Sequence, residues 1–285
     1  MAENDALRKV QEAETALLEV FAGICEENGL RYYLAYGTLI GAVRHQGFIP
    51  WDDDIDVMMP RPDYEKFLEV TRSGLPEGVR VDHYSRDGYR FYGSNIRFVN
   101  DRMQFAVPRG REVEWQSVWI DLIPMDGLPE EGKKRRRQLK RFLRNTLFLR
   151  VAVTAREGAQ EGLPRGRLER IALFLNTRLK LGKLLSIRGV QKRIDRTKSR
   201  YDYDSSEWVH GWVFAYKGKC VYRREDFMEG TELPFEGKLY RAPRNYDRVL
   251  RTIYGDYMTL PPVEKRVQSH CVGFREEGNQ EETEE

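Results

Sequence analysis

Four aspartates fall within five positions, Asp52, Asp53, Asp54 and Asp56, at the end of the stretch GTLIGAVRHQGFIPWDDDIDV that runs from Gly37 to Val57. Like charges crowded on one short segment cost stability unless cations neutralise them, so any fold this chain adopts has to solve that problem. The run Asp54–Met58, DIDVM, alternates acidic and apolar residues with period two and predicts a strand. On such a strand Asp54 and Asp56 share one face, about 7 Å apart along the chain, while Ile55 and Val57 face the other way. Two carboxylates on one face can share divalent ions, and hard oxygen ligands suit Mg²⁺ or Mn²⁺. Two such ions, about 3.5–4 Å apart, would clamp the attacking and leaving oxygens of an in-line phosphoryl displacement. Upstream, Gly37-Thr38 predicts a turn where backbone N–H groups and the Thr38 hydroxyl approach a phosphate, helped by the N-terminus of the following helix. A lone pair of aspartates at this spacing is usually a solvated acidic turn. A Gly-Thr turn, a short helix, the basic pair Arg44-His45 and aromatic and proline residues leading into four aspartates form a far more specific combination.

Around this stretch, helical and strand periodicities are mixed, which predicts an α+β fold. Leu7, Val10, Ala13, Leu17, Leu18, Phe21 and Ile24 recur at spacings of three and four and predict an amphipathic helix over 5–28, ended by Gly29. The aromatic run RYYLAYGT predicts a first strand stopping at Gly37, and 39–45 a short helix before a turn at Gln46-Gly47. Pro60 and Pro62 close the acidic strand, and 63–71 returns to helical spacing. RVDHYSR, YRFYGSNIRFV and SVWIDLIPM predict further strands of one sheet, the last ending at Pro124. WVHGWVFAYKGKCVYRREDF and ELPFEGKLYRAP predict strands again, and 246–257 a helix before Pro261-Pro262.

The formal net charge of +3 conceals an asymmetry, because 131–200 carries 22 Lys and Arg against five Asp and Glu. This block predicts basic helices at 133–150 and 167–196, broken around Gly158–Gly166. It is either a solvated helical surface or a patch for an anionic partner, whether membrane, glycan or nucleic acid. The expected organisation is a catalytic core in two parts, 1–129 and 201–285, separated by the basic helical insertion 130–200. No apolar run approaches the roughly 18 residues of a spanning helix, and the start MAENDALRKVQEAE is too polar for a secretory signal, so a cytoplasmic protein is expected. Cys25, Cys220 and Cys271 are far apart and lack CxxC spacing, which points to inert thiols rather than a disulfide framework or zinc site.

The run YGTLIGAVRHQGFIPWDDDIDVMMPRPDYEKF resembles the signature of the LicD family, which includes the fukutin-related branch, and the likeness continues at WIDLIPMDGLP, ELPFEGKLYRAPRNYDRVL and YGDYMTLPPVEKR. It brackets nearly the whole chain apart from the basic insertion. The resemblance implies a nucleotidyltransferase-like fold, a mixed β-sheet core flanked by helices. It also implies transfer of a phosphorylated group, phosphocholine first, from a CDP-activated donor to a hydroxyl of a cell-surface glycan or its lipid-linked precursor, such as teichoic acid or lipopolysaccharide, with release of CMP. The acceptor would be met at the inner face of the membrane, with the basic insertion making peripheral membrane contact.

By position, the resemblance assigns the turn to Gly37 and Thr38 and two metal carboxylates to Asp54 and Asp56. The third carboxylate is expected from a later strand, and Asp121 in WIDLI is chosen because apolar Ile120 and Leu122 flank it. Asp121 is alternatively the general base that takes the acceptor's proton, or a strand-end cap. Asp52 and Asp53 either hold an outer water or cap the strand start. Arg44 either meets the donor phosphates or packs its stem on Trp51. His45, Trp51, Lys217 and His270 complete the expected substrate-binding set, with ordinary structural roles as their alternatives. Two competing functions keep the same residues: a CTP-dependent nucleotidyltransferase on a small phosphorylated substrate, and a nucleic-acid-binding protein in which the acidic motif is only structural. No nucleic-acid module is recognisable, so a nucleic-acid partner is not expected.

Overall fold

The computed structural model describes residues 2–109, 112–157, 181–216, 218–266 and 271–276. The expectations for Lys217, His270 and much of the second basic helix therefore lie outside the described residues. In chain order the elements are α1 (Ala2–Glu27), β1 (Tyr33–Leu34), α2 (Tyr36–His45), β2 (Asp56–Pro60), α3 (Arg61–Val70), β3 (Val79–Asp82), β4 (Ile96–Arg109), β5 (Glu112–Leu128), α4 (Lys133–Glu157), α5 (Ile187–Lys198), β6 (Trp208–Gly211), β7 (Val221–Arg223), β8 (Thr231–Phe235), β9 (Lys238–Ala242), α6 (Tyr246–Tyr254) and β10 (Gly273–Glu276). The fold is α+β. Two compact units form, one from Met1–Asp82, Ile96–Pro124 and Glu225–Glu285, the other from His83–Asn95 and Met125–Arg224.

In the first unit the strand order is β1-β2-β5-β4-β10, with β3 also on β4. β4 and β5 form its long antiparallel ladder, with Arg97 opposite Asp121 and Val99 opposite Trp119. α1 covers this sheet with the stripe its spacing predicts: Leu7, Val10, Leu17 and Phe21 are all buried. Phe21 meets Phe67 of α3 with ring centroids 5.3 Å apart, and both reach Phe98 of β4. β8 and β9 make a separate hairpin whose tip lies against the segment before the aspartates: Glu236 N–H donates to the Gln46 carbonyl, and its carboxylate accepts from Phe48 N–H at 3.2 Å.

In the second unit α4 and α5 bury Phe142, Leu149, Val153, Val190 and Ile194 together with Leu128 and Trp212. The end of β5 pairs with β6 through Met125–Leu128, and β6 pairs with β7. Buried Lys198 of α5 donates to Ser94 O, Ser94 Oγ and Asn95 Oδ1 at 2.7–3.0 Å, and Gln191 donates to Gly93 O.

Three expectations change. The run from Tyr89 to Asn95 is not strand, because α5 side chains take up its polar groups in place of a ladder. Pro124 does not end β5: Leu122 pairs with β4 and Met125 with β6, so the proline stands where partners change and no ladder N–H is missed. The strand expected to stop at Gly37 spans only Tyr33–Leu34, and α2 begins at Tyr36. Tyr36 at φ 47° makes the sharp entry, so Gly37 and Thr38 lie in the first helical turn rather than before it.

Candidate active site

The backbone gathers the expected acidic residues through four hydrogen bonds in the first unit. Ala35 N–H donates to Asp56 O at 3.0 Å and Asp121 N–H to Ile55 O at 2.9 Å, which sets β5 beside the aspartate segment. Asp56 N–H donates to Thr38 Oγ1 at 2.8 Å, and Asp52 N–H closes the turn onto Ile49 O at 2.9 Å. Thr38 thus supports the start of β2 from within α2, whose N-terminus carries no side-chain cap. The Asp52 carboxylate lies close over Gly37, where a Cβ would stand 2.6 Å from Asp52 Oδ2. The strand itself starts only at Asp56, so Asp54 sits in the extended stretch just before it. The alternation nevertheless holds, with Ile55 and Val57 buried and Asp54 and Asp56 reaching the other side.

These carboxyls crowd one another. Asp54 touches solvent, yet protein surrounds it on most sides, and its carboxyl is held well above the usual range by lost hydration and then by repulsion from Asp52, Asp53 and Asp121. Asp56 is raised in the same way, by burial and then by Asp54, Asp121 and Asp52. Asp52 is pushed up to about 6 by burial and Asp53, against a hydrogen bond shared with Asp54 that pulls it down. Among the described residues no Lys, Arg or His side chain pairs with Asp54 or Asp56. Asp121 differs: Trp119 Nε1 donates to its Oδ2 at 3.2 Å, and the Arg97 guanidinium lies 3.5 Å from Oδ1 and 3.9 Å over the Trp119 ring. Burial lowers Arg97 even so.

The donor set is all carboxylate oxygen carrying surplus negative charge, which is the chemistry of a hard divalent cation. Among the described residues, however, no three His, Cys, Asp or Glu side chains already stand close enough together to hold a metal ion. Asp54, Asp56 and Asp121 are neighbours through the backbone without forming a closed ligand cage.

The expected substrate-binding residues separate into two groups. Arg44 donates Nε to His45 Nε2 at 2.9 Å and Nη1 to Tyr257 O at 2.8 Å, so part of its fork is engaged within the fold. Its neighbour is Arg266, and burial together with that like charge lowers Arg44 below its ordinary value. Burial and Arg44 in turn lower His45. The cation over the Trp51 ring is Arg266, at 5.7 Å. Gly37, Thr38, Asp54, Asp56 and Asp121 converge, and Arg44, His45 and Trp51 form an adjacent basic and aromatic group with Arg266.

Four residues that matter here escape the sequence reading. Arg97 holds Asp121 from across the ladder, a pairing that only strand register creates, and Trp119, two residues earlier on the same strand, donates to the same carboxyl. Arg266 reaches Trp51 from 215 positions away along the chain. Glu14 is the most readable of the four. The α1 stripe runs 7, 10, 14, 17, 21, 24, and an acid at its third place, 2% exposed, contradicts the apolar pattern. Its charge neighbours are Asp54, Asp53, Asp52 and Asp121.

Residues 29–133 match the family described as LicD/FKTN/FKRP, nucleotidyltransferase domain. The chain is similar over 277 residues to the lipopolysaccharide cholinephosphotransferase LicD of Haemophilus influenzae, at 28% identity, covering 93% of this chain and 96% of that protein. It is also similar to the human ribitol 5-phosphate transferase FKRP, at 51% identity over 35 residues, 12% of this chain and 7% of that protein.

Proposed function

We propose that this chain is a LicD-family phosphotransferase that moves choline phosphate, or a related phosphorylated group, from a CDP-activated donor to a hydroxyl of a glycan. The observation that carries the reading is the convergence of Thr38, Asp54, Asp56 and Asp121 through the Asp121–Ile55 and Asp56–Thr38 hydrogen bonds. Near-complete coverage of a cholinephosphotransferase supports the choice of choline phosphate, and the short match to a ribitol 5-phosphate transferase keeps the reaction class while changing the group moved.

Asp54, Asp56 and Asp121 are the residues to hold Mg²⁺ or Mn²⁺, which when bound would neutralise charge on the donor's pyrophosphate. The acceptor oxygen forms a bond to the phosphorus distal to cytidine, the bond from that phosphorus to the CMP oxygen breaks, and CMP leaves. The acceptor's proton passes to a carboxylate, and Asp121 suits this role because Trp119 and Arg97 fix its orientation. Arg44 and Arg266, two cations beside each other near Trp51, are placed to meet an anionic donor. Such chemistry asks little covalent help of the protein, so positioning and charge compensation carry most of the rate.

The decisive measurement is chromatographic detection of nucleotide release with Mg²⁺ or Mn²⁺, over CDP-choline, CDP-ribitol, CDP-glycerol and CTP, with an acceptor glycan present. CMP from one CDP-linked donor, reduced at least about 10³-fold in Asp54→Asn, is the expected result. Pyrophosphate released from CTP would replace this reading with that of a nucleotidyltransferase. We further infer that the exposed face of α4, with Lys133, Arg136, Arg137, Lys140, Arg141 and Arg144, brings the enzyme to an anionic membrane surface where a lipid-linked acceptor is met. No helix among the described residues is long and apolar enough to cross a membrane.

A further inference from the structure

Helix α1 holds one acid inside its buried stripe. Leu7, Val10, Leu17 and Phe21 fill the other places with apolar volume, whereas Glu14 is buried there to 2% exposure and its Oε2 meets no hydrogen-bond partner. A carboxylate in such a place costs several kcal/mol unless a proton or a cation balances it. The position is not a neutral part of the core. Gln11, one turn earlier on the same face, donates Nε2 to the Asp52 carbonyl at 2.9 Å, which fixes this turn of α1 against the aspartate segment. The charges that act most on Glu14 are acidic, namely Asp54, Asp53, Asp52 and Asp121. A leucine would serve the helix better if packing were its only role, since an orphaned buried oxygen in the field of four more carboxylates weakens the fold.

We propose that Glu14 is a further carboxylate of the divalent-cation site, acting on the cation directly or through one bound water. The assignment rests on the cation reading of Asp54, Asp56 and Asp121, and it gives α1, which lies before residues 29–133 of the family match, a part in the site. It also explains why Gln11 and Glu14 are polar on a face that is otherwise packed.

The test is a Mn²⁺ titration of the purified full chain without donor or acceptor, followed by the electron paramagnetic resonance of free Mn²⁺. Wild type, Glu14→Gln and Asp54→Asn are compared, and the melting temperature of each is read in EDTA and in Mn²⁺. The expected result is that Glu14→Gln weakens Mn²⁺ binding about 10–100-fold, melts no lower than wild type in EDTA, and gains less from Mn²⁺. Binding by Glu14→Gln within about twofold of wild type, with Asp54→Asn impaired, overturns the role of Glu14 and leaves the aspartate site standing. Failure of the wild type to bind Mn²⁺ overturns the cation reading itself. If Glu14→Gln does not fold, Glu14→Asp, which keeps the charge but withdraws it by one methylene, takes its place, and unweakened binding then overturns the proposal.

Discussion

At Asp52, burial and the charge of Asp53 raise the carboxyl to about 6, and burial and neighbouring aspartates hold Asp54, Asp56 and Glu14 well above their ordinary values too. Above the ordinary carboxylate range near 4 the folded chain therefore keeps protons that the unfolded chain has released, and stability falls as pH rises. In EDTA the melting temperature should drop as pH rises from about 4 through about 6, and Mg²⁺ or Mn²⁺ should flatten that slope by replacing the protons. A metal-free melting curve that rises over this window would show the carboxyls to be compensated already. His210 in the second unit acts with the opposite sign. Burial lowers it from 6.5 to about 3, so below about 6.5 the unfolded chain takes up the proton first and stability is lost as pH falls toward 3. His210→Phe should extend stability to lower pH, as read by thermal melts between about pH 3 and about pH 6.5.

At the scale of elements, α2 links the parts of the site, because its first turn supplies Gly37 and Thr38 and its last turn Arg44 and His45. It can do so only because Gly41 lets the following turn fold back closely: a Cβ at Gly41 would overlap the Gly47 carbonyl oxygen and press on Ile49 N. Glycine to alanine inside a helix ordinarily gains about 1 kcal/mol. Here overpacking of about 1–3 kcal/mol should outweigh that gain, so Gly41→Ala is expected to lower the melting temperature by a few degrees. Transfer activity should fall with it, since the same turn leads into Asp52. An increase in stability would mean that the Gly47 turn yields freely. The β8–β9 hairpin supports that turn from the other side, because Glu236 at its tip holds the Gln46–Phe48 segment and pairs with Arg8 of α1 at 2.8 Å. Both hairpin strands are legible in the sequence, but nothing in the run ELPFEGKLYRAP reveals that its tip acts 188 positions upstream.

At the scale of the molecule, the second unit carries a basic face on which, among the described residues, Lys133, Arg136, Arg137, Lys140, Arg141 and Arg144 pair with no carboxylate. Near an anionic surface each such cation is worth about 1 kcal/mol. The chain should therefore float with vesicles containing anionic lipid and not with neutral ones, and replacing Arg137, Lys140 and Arg144 by Glu should abolish the difference. Equal recovery from both vesicle types would leave the face as solvated surface. By itself the sequence determined the α+β class, the apolar stripe of α1, the basic helix and the run of residues that carries the site, because these depend on periodicity and on neighbours a few positions apart. It also pointed to Asp121, through an acid between two apolar strand residues. Only the tertiary structure decided that Arg97 faces Asp121 across the ladder, that Arg266 lies over Trp51, that β5 runs past Pro124, and that Glu14 lies buried near the aspartates. Each of these depends on strand register or on packing between residues far apart in the chain, and local pattern carries no information about which distant partner will arrive.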